Sequence, residues 1–294
     1  MEIGLYIPLL EEEPISSKQI ETIIHAEEAG VSSVWSRDLL CLSNKMEDRD
    51  PMYECLTLLS YLSGKTKTIK LGTAVVSLPV RDILLFAKQA LSIDFLSNGR
   101  LLLGVGTGYR SYEYEYYNIP YDKRYELTES SIVNIKKLWR DSYNRVIYDD
   151  GILPIEPRPI NPNGPALFIA GKGIPPERIA NYVDGWMMHK AAFLDMKQFI
   201  DHVKKVRGKN VRTEIIMDFP IALEHDKRIP LEEVPGVPII LPIDSETLVK
   251  TLLLLEKMGI TQVIFSLYGS VKIEEQISIL QDRVIPYISK QILI

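Results

Sequence analysis

Leu96-Ser97-Asn98-Gly99-Arg100-Leu101-Leu102-Leu103-Gly104-Val105-Gly106-Thr107-Gly108-Tyr109 is the stretch whose reading decides the fold. It reads as a helix end, a tight turn at Asn98-Gly99, a short buried strand, and a glycine-rich loop at the strand's C-terminal end. Glycines there let the backbone approach something flat or anionic. The competing reading is a dinucleotide fingerprint, which needs a helix directly after the glycines and an acid about 20 residues further on. Instead Tyr109, Tyr112, Tyr114, Tyr116 and Tyr117 follow, ahead of Pro120, so a nicotinamide site is not expected. The plain alternative for these glycines is close packing at a barrel rim.

Working outward, short apolar runs alternate with helical periodicity along the chain. Strands are predicted at Ile3–Leu9, Ser33–Trp35, Ile69–Val76, Leu101–Val105, Ala166–Ala170, Gly185–Met188, Glu214–Leu223 and Gln262–Ser266. Helices are predicted between them. They run from the Ser16 cap to Ala29, from Pro51 to Leu62, over Ile83–Leu96 and Asp122–Trp139, and onward from Pro175. Further helices cover Phe193–Val206, Ser245–Met258 and Glu274–Ile288. Arg145–Leu153 and the proline-rich Pro154–Pro165 read as an insertion after the fourth helix. Lys227–Pro242 reads as a second proline-rich insertion, after the seventh strand. Eight βα units imply a parallel sheet, and eight in one domain favour a (β/α)8 TIM barrel over a doubly wound open sheet. Residues 1–294 are read as a single domain with its site on the loops after the strands.

Composition narrows the function. The chain has 294 residues, 46% hydrophobic and 25% charged, with a formal net charge of -5. This is ordinary globular composition without the basic footprint of a nucleic-acid binder. No apolar run reaches about 18 residues, and Met1-Glu2-Ile3-Gly4 lacks the basic and apolar pattern of a signal peptide. A cytoplasmic protein that does not bind membranes is expected. The two cysteines, Cys41 and Cys55, match no metal-site spacing, so no metal is expected and a reduced compartment fits.

The second glycine loop is Ala170-Gly171-Lys172-Gly173-Ile174-Pro175-Pro176-Glu177. Free N–H groups at a helix start, together with Lys172, would make an anion site. Phosphate sites cluster on late strands of barrels.

Taken in order, these motifs resemble the bacterial-luciferase-like family of flavin- or deazaflavin-dependent oxidoreductases, over roughly residues 3 to 290. Asp50-Pro51 with Leu56, Leu59 and Thr68–Thr73 is similar to that family's lead into strand three. Arg81–Gln89 resembles its next helix, with Asp82-Ile83 in place of His-Pro. Leu96–Gly108 resembles its strand-four signature. Arg124, Glu129 and Leu138-Trp139 fall at its arginine, glutamate and Leu-Trp positions. Ile169–Gly173 with Asp184-Gly185-Trp186 resembles its phosphate loop and following strand.

The resemblance implies a luciferase-like barrel holding FMN, or the deazaflavin F420, at its C-terminal mouth. It implies a non-prolyl cis peptide at Ala74-Val75 behind the flavin ring. Gly106, Thr107 and Gly108 would lie beside the ring, while Gly171, Lys172, Gly173 and Arg124 would hold the phosphate. For Arg124 a surface pairing with Glu126 or Glu129 is the alternative. Tyr109 would pack on substrate or flavin, or simply on the rim. His189, after strand six, is the leading histidine for contact with substrate or the flavin edge, against a structural role. His225 ranks next, and His25 and His202 read as surface residues. Glu113 sits at the family's acid position and reads as a loop-ordering group, and Glu11-Glu12-Glu13 as a solvated run. A homodimer and a separate flavin reductase are implied by the resemblance.

Two departures shape the functional reading. Asp38 is followed by Leu39, where many deazaflavin dehydrogenases of the family have an Asp-His pair. Gly106 and Thr107 stand where luciferase itself has a reactive cysteine and a phosphate-binding arginine. The leading expectation is a monooxygenase using reduced FMN and O2 on a small organic substrate. The alternatives are F420-dependent hydride transfer and a catalytically silent flavin-binding relative. The apolar Val234, Val237, Ile239, Ile240 and Leu241 hint at an apolar substrate or a partner surface.

Overall fold

The computed structural model describes residues 1–7, 17–41, 53–140, 145–148, 151–171, 173–189, 193–208, 213–224 and 241–288. Its strands are β1 (Glu2–Tyr6), β2 (Ser33–Ser36), β3 (Lys70–Ser77), β4 (Leu101–Gly106), β5 (Arg145–Tyr148), β6 (Gly151–Pro154), β7 (Ala166–Ala170), β8 (Gly185–His189), β9 (Glu214–Leu223), β10 (Leu241–Ile243) and β11 (Gln262–Leu267). Its helices are α1 (Ser17–Glu28), α2 (Cys55–Ser63), α3 (Ile83–Leu96), α4 (Ser111–Tyr116), α5 (Arg124–Arg140), α6 (Pro176–Ile179), α7 (Phe193–Arg207), α8 (Ser245–Met258), α9 (Ile273–Ile279) and α10 (Ile285–Ile288). A π-helical segment, Leu280–Val284, joins α9 to α10.

Eight strands pair in parallel in the order β1-β2-β3-β4-β7-β8-β9-β11, and β11 returns to β1. This is a closed (β/α)8 TIM barrel. The β5–β6 pair is an antiparallel hairpin inserted after α5. Short β10 extends the sheet beside the end of β9. It was expected as loop. The rest of the Lys227–Pro242 loop, Glu11–Glu13, Lys172 and His225 lie outside the described residues.

The opening stretch can now be read atom by atom. Asn98 and Gly99 turn with φ of 57° and 79°, the left-handed region that glycine and asparagine tolerate best. Arg100 then pins the bottom of the barrel, donating to the carbonyls of Ser97, Ser63, Thr66 and Ile69 and to the Thr66 hydroxyl. Along β4, Leu101, Leu103 and Val105 join the large core under the helices. Leu102 packs against a separate cluster inside the barrel, as strand alternation requires.

That inner cluster is built around Trp35, Phe168, Met187, Ile216 and Ile264. The Trp35 and Phe168 rings meet edge-on with centroids 6.5 Å apart. Trp35 is fully buried and occupies space that two missing side chains leave open. A Cβ at Gly4 would lie 2.7 Å from its Nε1, and one at Gly72 would lie 2.2 Å from its Cε3. The Met187 sulfur fills the equivalent place at Gly104, 2.4 Å from where a Cβ would stand. The indole N–H donates to the Ser33 hydroxyl at 2.7 Å, and the Gln262 amide donates to the same oxygen. The lower barrel interior is thus filled around one indole.

Several boundaries differ from expectation for local reasons. Helix α2 begins at Cys55, because the Glu54 carboxylate accepts from the Thr57 N–H and caps it there. Helix α5 starts at Arg124, after a 3-10 turn at Tyr121–Lys123. Helix α4 falls in the tyrosine-rich stretch where no helix is predicted. It forms because Tyr114 is core, buried edge-on against Tyr121 at 5.1 Å. The helix expected from Pro175 is the single turn α6. No helix among the described residues is long and apolar enough to cross a membrane.

If Trp35 is the floor, a side chain at position 72 must collide with it. Gly72→Val is expected to cost at least about 1–3 kcal/mol, the usual price of overpacking a filled core. Urea unfolding measures this, and an unchanged midpoint would show that the indole is not fixed there.

Candidate functional site

The mouth is marked by where the barrel lining becomes accessible. Tyr6, Ala74, Val75, Ala170, Asp218 and Ser266 are only partly buried, although most of their strand neighbours are fully buried. All but Asp218, which stands midway along β9 in register with His189 at the end of β8, lie in the C-terminal halves of their strands. One side, on β3, β4 and β7, carries only small side chains: Ala74, Val75, Gly106 and Ala170. The Ala74-Val75 peptide is cis, the geometry implied by the resemblance. It coincides with a register irregularity between Thr73 and Val76 in the β3–β4 ladder, where the Thr73 hydroxyl donates to the Gly104 carbonyl at 2.8 Å.

The glycines of the β4 loop divide by role. Gly108 has φ of 66°, and a Cβ there would lie 2.2 Å from the Ser77 hydroxyl, so it is glycine for packing. A Cβ at Gly106 would meet Val75 at 3.0 Å and Ala170 at 3.8 Å, both lining the mouth. Gly106 is therefore the position whose missing side chain keeps the small-walled face flat. Thr107 is half-buried, and its carbonyl accepts from the Tyr114 hydroxyl. Tyr109 is exposed, with the Arg110 guanidinium 4.6 Å from its ring centroid and donating to its hydroxyl at 3.0 Å.

The β7 loop is glycine for two reasons as well. Gly171 has φ of 87° and open space where a Cβ would be. A Cβ at Gly173 would lie 2.0 Å from the Tyr125 ring. Tyr125 in turn stacks on Arg124 at 4.4 Å, so tertiary structure brings Arg124 to this loop. Arg124 donates to the Tyr121 carbonyl and the Tyr125 hydroxyl, and among the described residues it forms no ion pair. Glu129 pairs with Arg178 instead, at 2.7 Å. The expected helix start is weaker than foreseen. Helix α6 is one turn long, and Pro175 and Pro176 supply no N–H, so its dipole contributes little.

Beneath the β2 and β4 loops lies a buried ionic cluster. Arg81 pairs with Asp38 at 2.6 Å and with Glu54 at 3.1 Å. The Ser77 N–H donates to the other Asp38 oxygen, and the Cys55 thiol is 3.5 Å from Asp38. Arg110 donates to the Asp38 carbonyl and sits 3.7 Å from Glu113. Burial and then the Asp38 carboxylate push the Cys55 thiol up, so it is a neutral packing group and not a nucleophile. Asp38, Glu54 and Cys55 lie within metal-ligating distance of one another. The positive charge they hold is the Arg81 guanidinium.

His189 ends β8 at the mouth, in register with Asp218 of β9. His202 pairs with Glu177 at 2.8 Å on the outer surface. Tyr6, Arg37 and Asp218 join the mouth without any motif to mark them. The Arg37 guanidinium lies 5.3 Å from the Tyr6 ring centroid. Burial first, and then the Asp218 carboxylate, hold the Tyr6 phenol well above its ordinary range, with Arg37 opposing. Tyr6 is thus a neutral phenol at any working pH. The available signal was alternation: Tyr6 and Gly4 share a face, as do Arg37 and Trp35.

A family model described as luciferase-like monooxygenase matches residues 3–228. The oxygenase component of flavin-dependent trigonelline monooxygenase from Acinetobacter baylyi is 30% identical over 115 residues, 38% of this chain and 32% of that protein. The chain aligns with 28% to 58% of the length of the first curated relatives it matches. The monooxygenase RslO1 from Streptomyces bottropensis superposes with a TM-score of 0.77 at 14% identity, covering 98% of this chain and 100% of that one. An F420-dependent secondary alcohol dehydrogenase, solved with an F420-acetone adduct, superposes with a TM-score of 0.74 at 16% identity, covering 98% of both chains. At such identities the structural likeness is one of fold.

Glu113 yields a pH test of the buried cluster. Burial pushes its carboxyl up, Arg110 offsets part of this, and Asp38 adds to the rise. The folded state therefore favours the protonated acid. That stability is full below the ordinary glutamate range, near 4.5, and is lost as pH rises through the higher native value. Glu113→Gln is expected to gain stability on the wild type between pH 4 and pH 8. Urea unfolding across that range checks it, and a constant difference contradicts it.

Proposed function

The chain belongs to the luciferase-like monooxygenase family, and from that premise we propose that it is a flavin-dependent monooxygenase acting on a small organic substrate. The observation that carries the reading is the small-walled side of the mouth formed by Ala74, Val75, Gly106 and Ala170. Among the barrel strands, it offers a surface without a bulky side chain against which a flat ring can lie. The residues fit the group. Arg124 forms no ion pair among the described residues, and Gly171, with open space where a Cβ would stand, bares the backbone of the neighbouring loop. In this reading Gly171, Lys172, Gly173 and Arg124 hold the phosphate, with Thr107 and Gly108 at the ring's edge. A bound reduced flavin would supply the electrons for activating O2. The protein's task is to hold the ring, exclude water and position the substrate, with Tyr109 and His189 at the rim.

The monooxygenase reading is supported over hydride transfer by position 39, which is leucine and cannot relay a proton. The neighbouring Asp38 carboxylate is occupied by Arg81, Ser77 and Cys55. The oxygenase-component relative supports a separate reductase as the source of reduced flavin. A homodimer belongs to the same proposal. Tyr61, Leu84, Leu85, Phe95 and Leu96 are exposed on α2 and α3, an apolar surface of the kind that seats a second copy. One domain and a cytoplasmic site of action complete it, in keeping with the free thiols of Cys41 and Cys55.

Titration with oxidised and reduced FMN, and in parallel with F420, tests the cofactor. FMN is expected to bind at micromolar concentration, and Gly106→Leu is expected to weaken it at least tenfold while circular dichroism shows a folded barrel. Tighter binding of F420 would exchange the cofactor, and binding of neither would end the proposal. Light scattering is expected to give twice the chain mass, with Leu85→Asp/Phe95→Asp shifting it toward one chain.

A further inference from the structure

Arg37 differs from every other arginine whose side chain is described. Arg81, Arg110, Arg158, Arg178 and Arg283 have carboxylate partners. Arg100, Arg124, Arg140 and Arg207 donate to carbonyls. Among the described residues Arg37 donates no hydrogen bond and forms no ion pair, although it is partly buried. Its guanidinium lies over the face of Tyr6, 5.3 Å from the ring centroid. Stacking of this kind fixes a guanidinium plane while leaving its N–H donors free.

Its place in the barrel says what those donors face. Arg37 follows β2 directly, two residues beyond the Trp35 floor, and its contact with Tyr6 puts it at the mouth. The Gly171–Gly173 loop follows β7, three strands away around the barrel, with β3 and β4 between them. At about 4.8 Å per strand, that is roughly 14 Å along the rim. The cation therefore lies on the far side of the small-walled face from the loop assigned to the phosphate.

The local charge selects the kind of anion. Among the described residues, the partly buried mouth side chains Tyr6, Arg37, Ala74, Val75, Ala170, Asp218 and Ser266 include one cation, Arg37, and one carboxylate, Asp218. No ion pair joins the two. One guanidinium stacked on a phenol matches a single negative charge. A carboxylate accepts the two parallel N–H bonds of a guanidinium fork. We propose that Arg37, stacked on Tyr6, anchors a carboxylate of the substrate, so that the enzyme acts on small organic monocarboxylates. This deepens the flavin reading and rests on it for the position of the ring.

The test uses calorimetry on the full chain without flavin. Benzoate, phenylacetate, nicotinate and hexanoate are each compared with their primary amides. Wild type, Arg37→Gln and Arg37→Lys are measured, and FMN and F420 are titrated into each. At least one carboxylate is expected to bind wild type ten times more tightly than its amide. Arg37→Gln should abolish that preference and Arg37→Lys should restore part of it, both with flavin affinity within twofold of wild type. The proposal is overturned if no carboxylate binds, if amides bind equally, or if Arg37→Gln keeps the preference. A loss of flavin affinity in Arg37→Gln would overturn it too, by giving the guanidinium to the cofactor. Failure of the flavin reading shows separately, as wild type that binds neither cofactor.

Discussion

The Trp35 indole, laid in the space that Gly4 and Gly72 leave empty, is the contact on which the rest of the barrel depends. A closed eight-stranded barrel must fill its own interior, usually with layers of branched side chains. Here one fully buried ring, with Phe168, Met187, Ile216 and Ile264 around it, closes the lower half. Its polar N–H is satisfied by Ser33, which is held in turn by Gln262, so the filling carries no unmet hydrogen bond.

What shapes the mouth is a division of labour around the rim. The side made by β3, β4 and β7 is stripped of large groups. The rim at β1, β2 and β9 brings Tyr6, Arg37 and Asp218 together. Between them the loops are tied down from below by Arg81, which links Asp38 after β2 to Glu54 at the start of α2. Removing one partner from such a buried pair would leave an uncompensated charge, so the cluster fixes loop positions as well as joining them. An arginine inside that cluster is spent on structure, while Arg37, just after β2, donates to no described residue.

Much of this was legible in the chain. The strand and helix order followed from periodicity, because inward and outward faces of a parallel barrel both need apolar residues and the helices between them need one apolar stripe. The turn at Asn98-Gly99 and the caps at Asp82 and Asp244 announced themselves by residue type. Helix α4 was missed because a run of tyrosines looks like rim, and only packing reveals that Tyr114 is core. The short α6 was missed because two prolines that could open a helix also deprive it of N–H groups.

The sequence by itself determined the alternation of eight strands and helices, the family, and the two glycine loops that flank the mouth. These are local or serial properties, written in spacing and residue type. Only the tertiary structure decided which glycine does what. Gly104 makes room for Met187, Gly108 for Ser77 and Gly173 for Tyr125, while Gly106 lies against Val75 and Ala170 at the mouth. It also decided that Arg124 stands beside the β7 loop and that Arg37 meets Tyr6 without an anionic partner among the described residues. Such facts depend on side chains far apart in the chain meeting across a closed barrel, and no local pattern encodes what stands opposite.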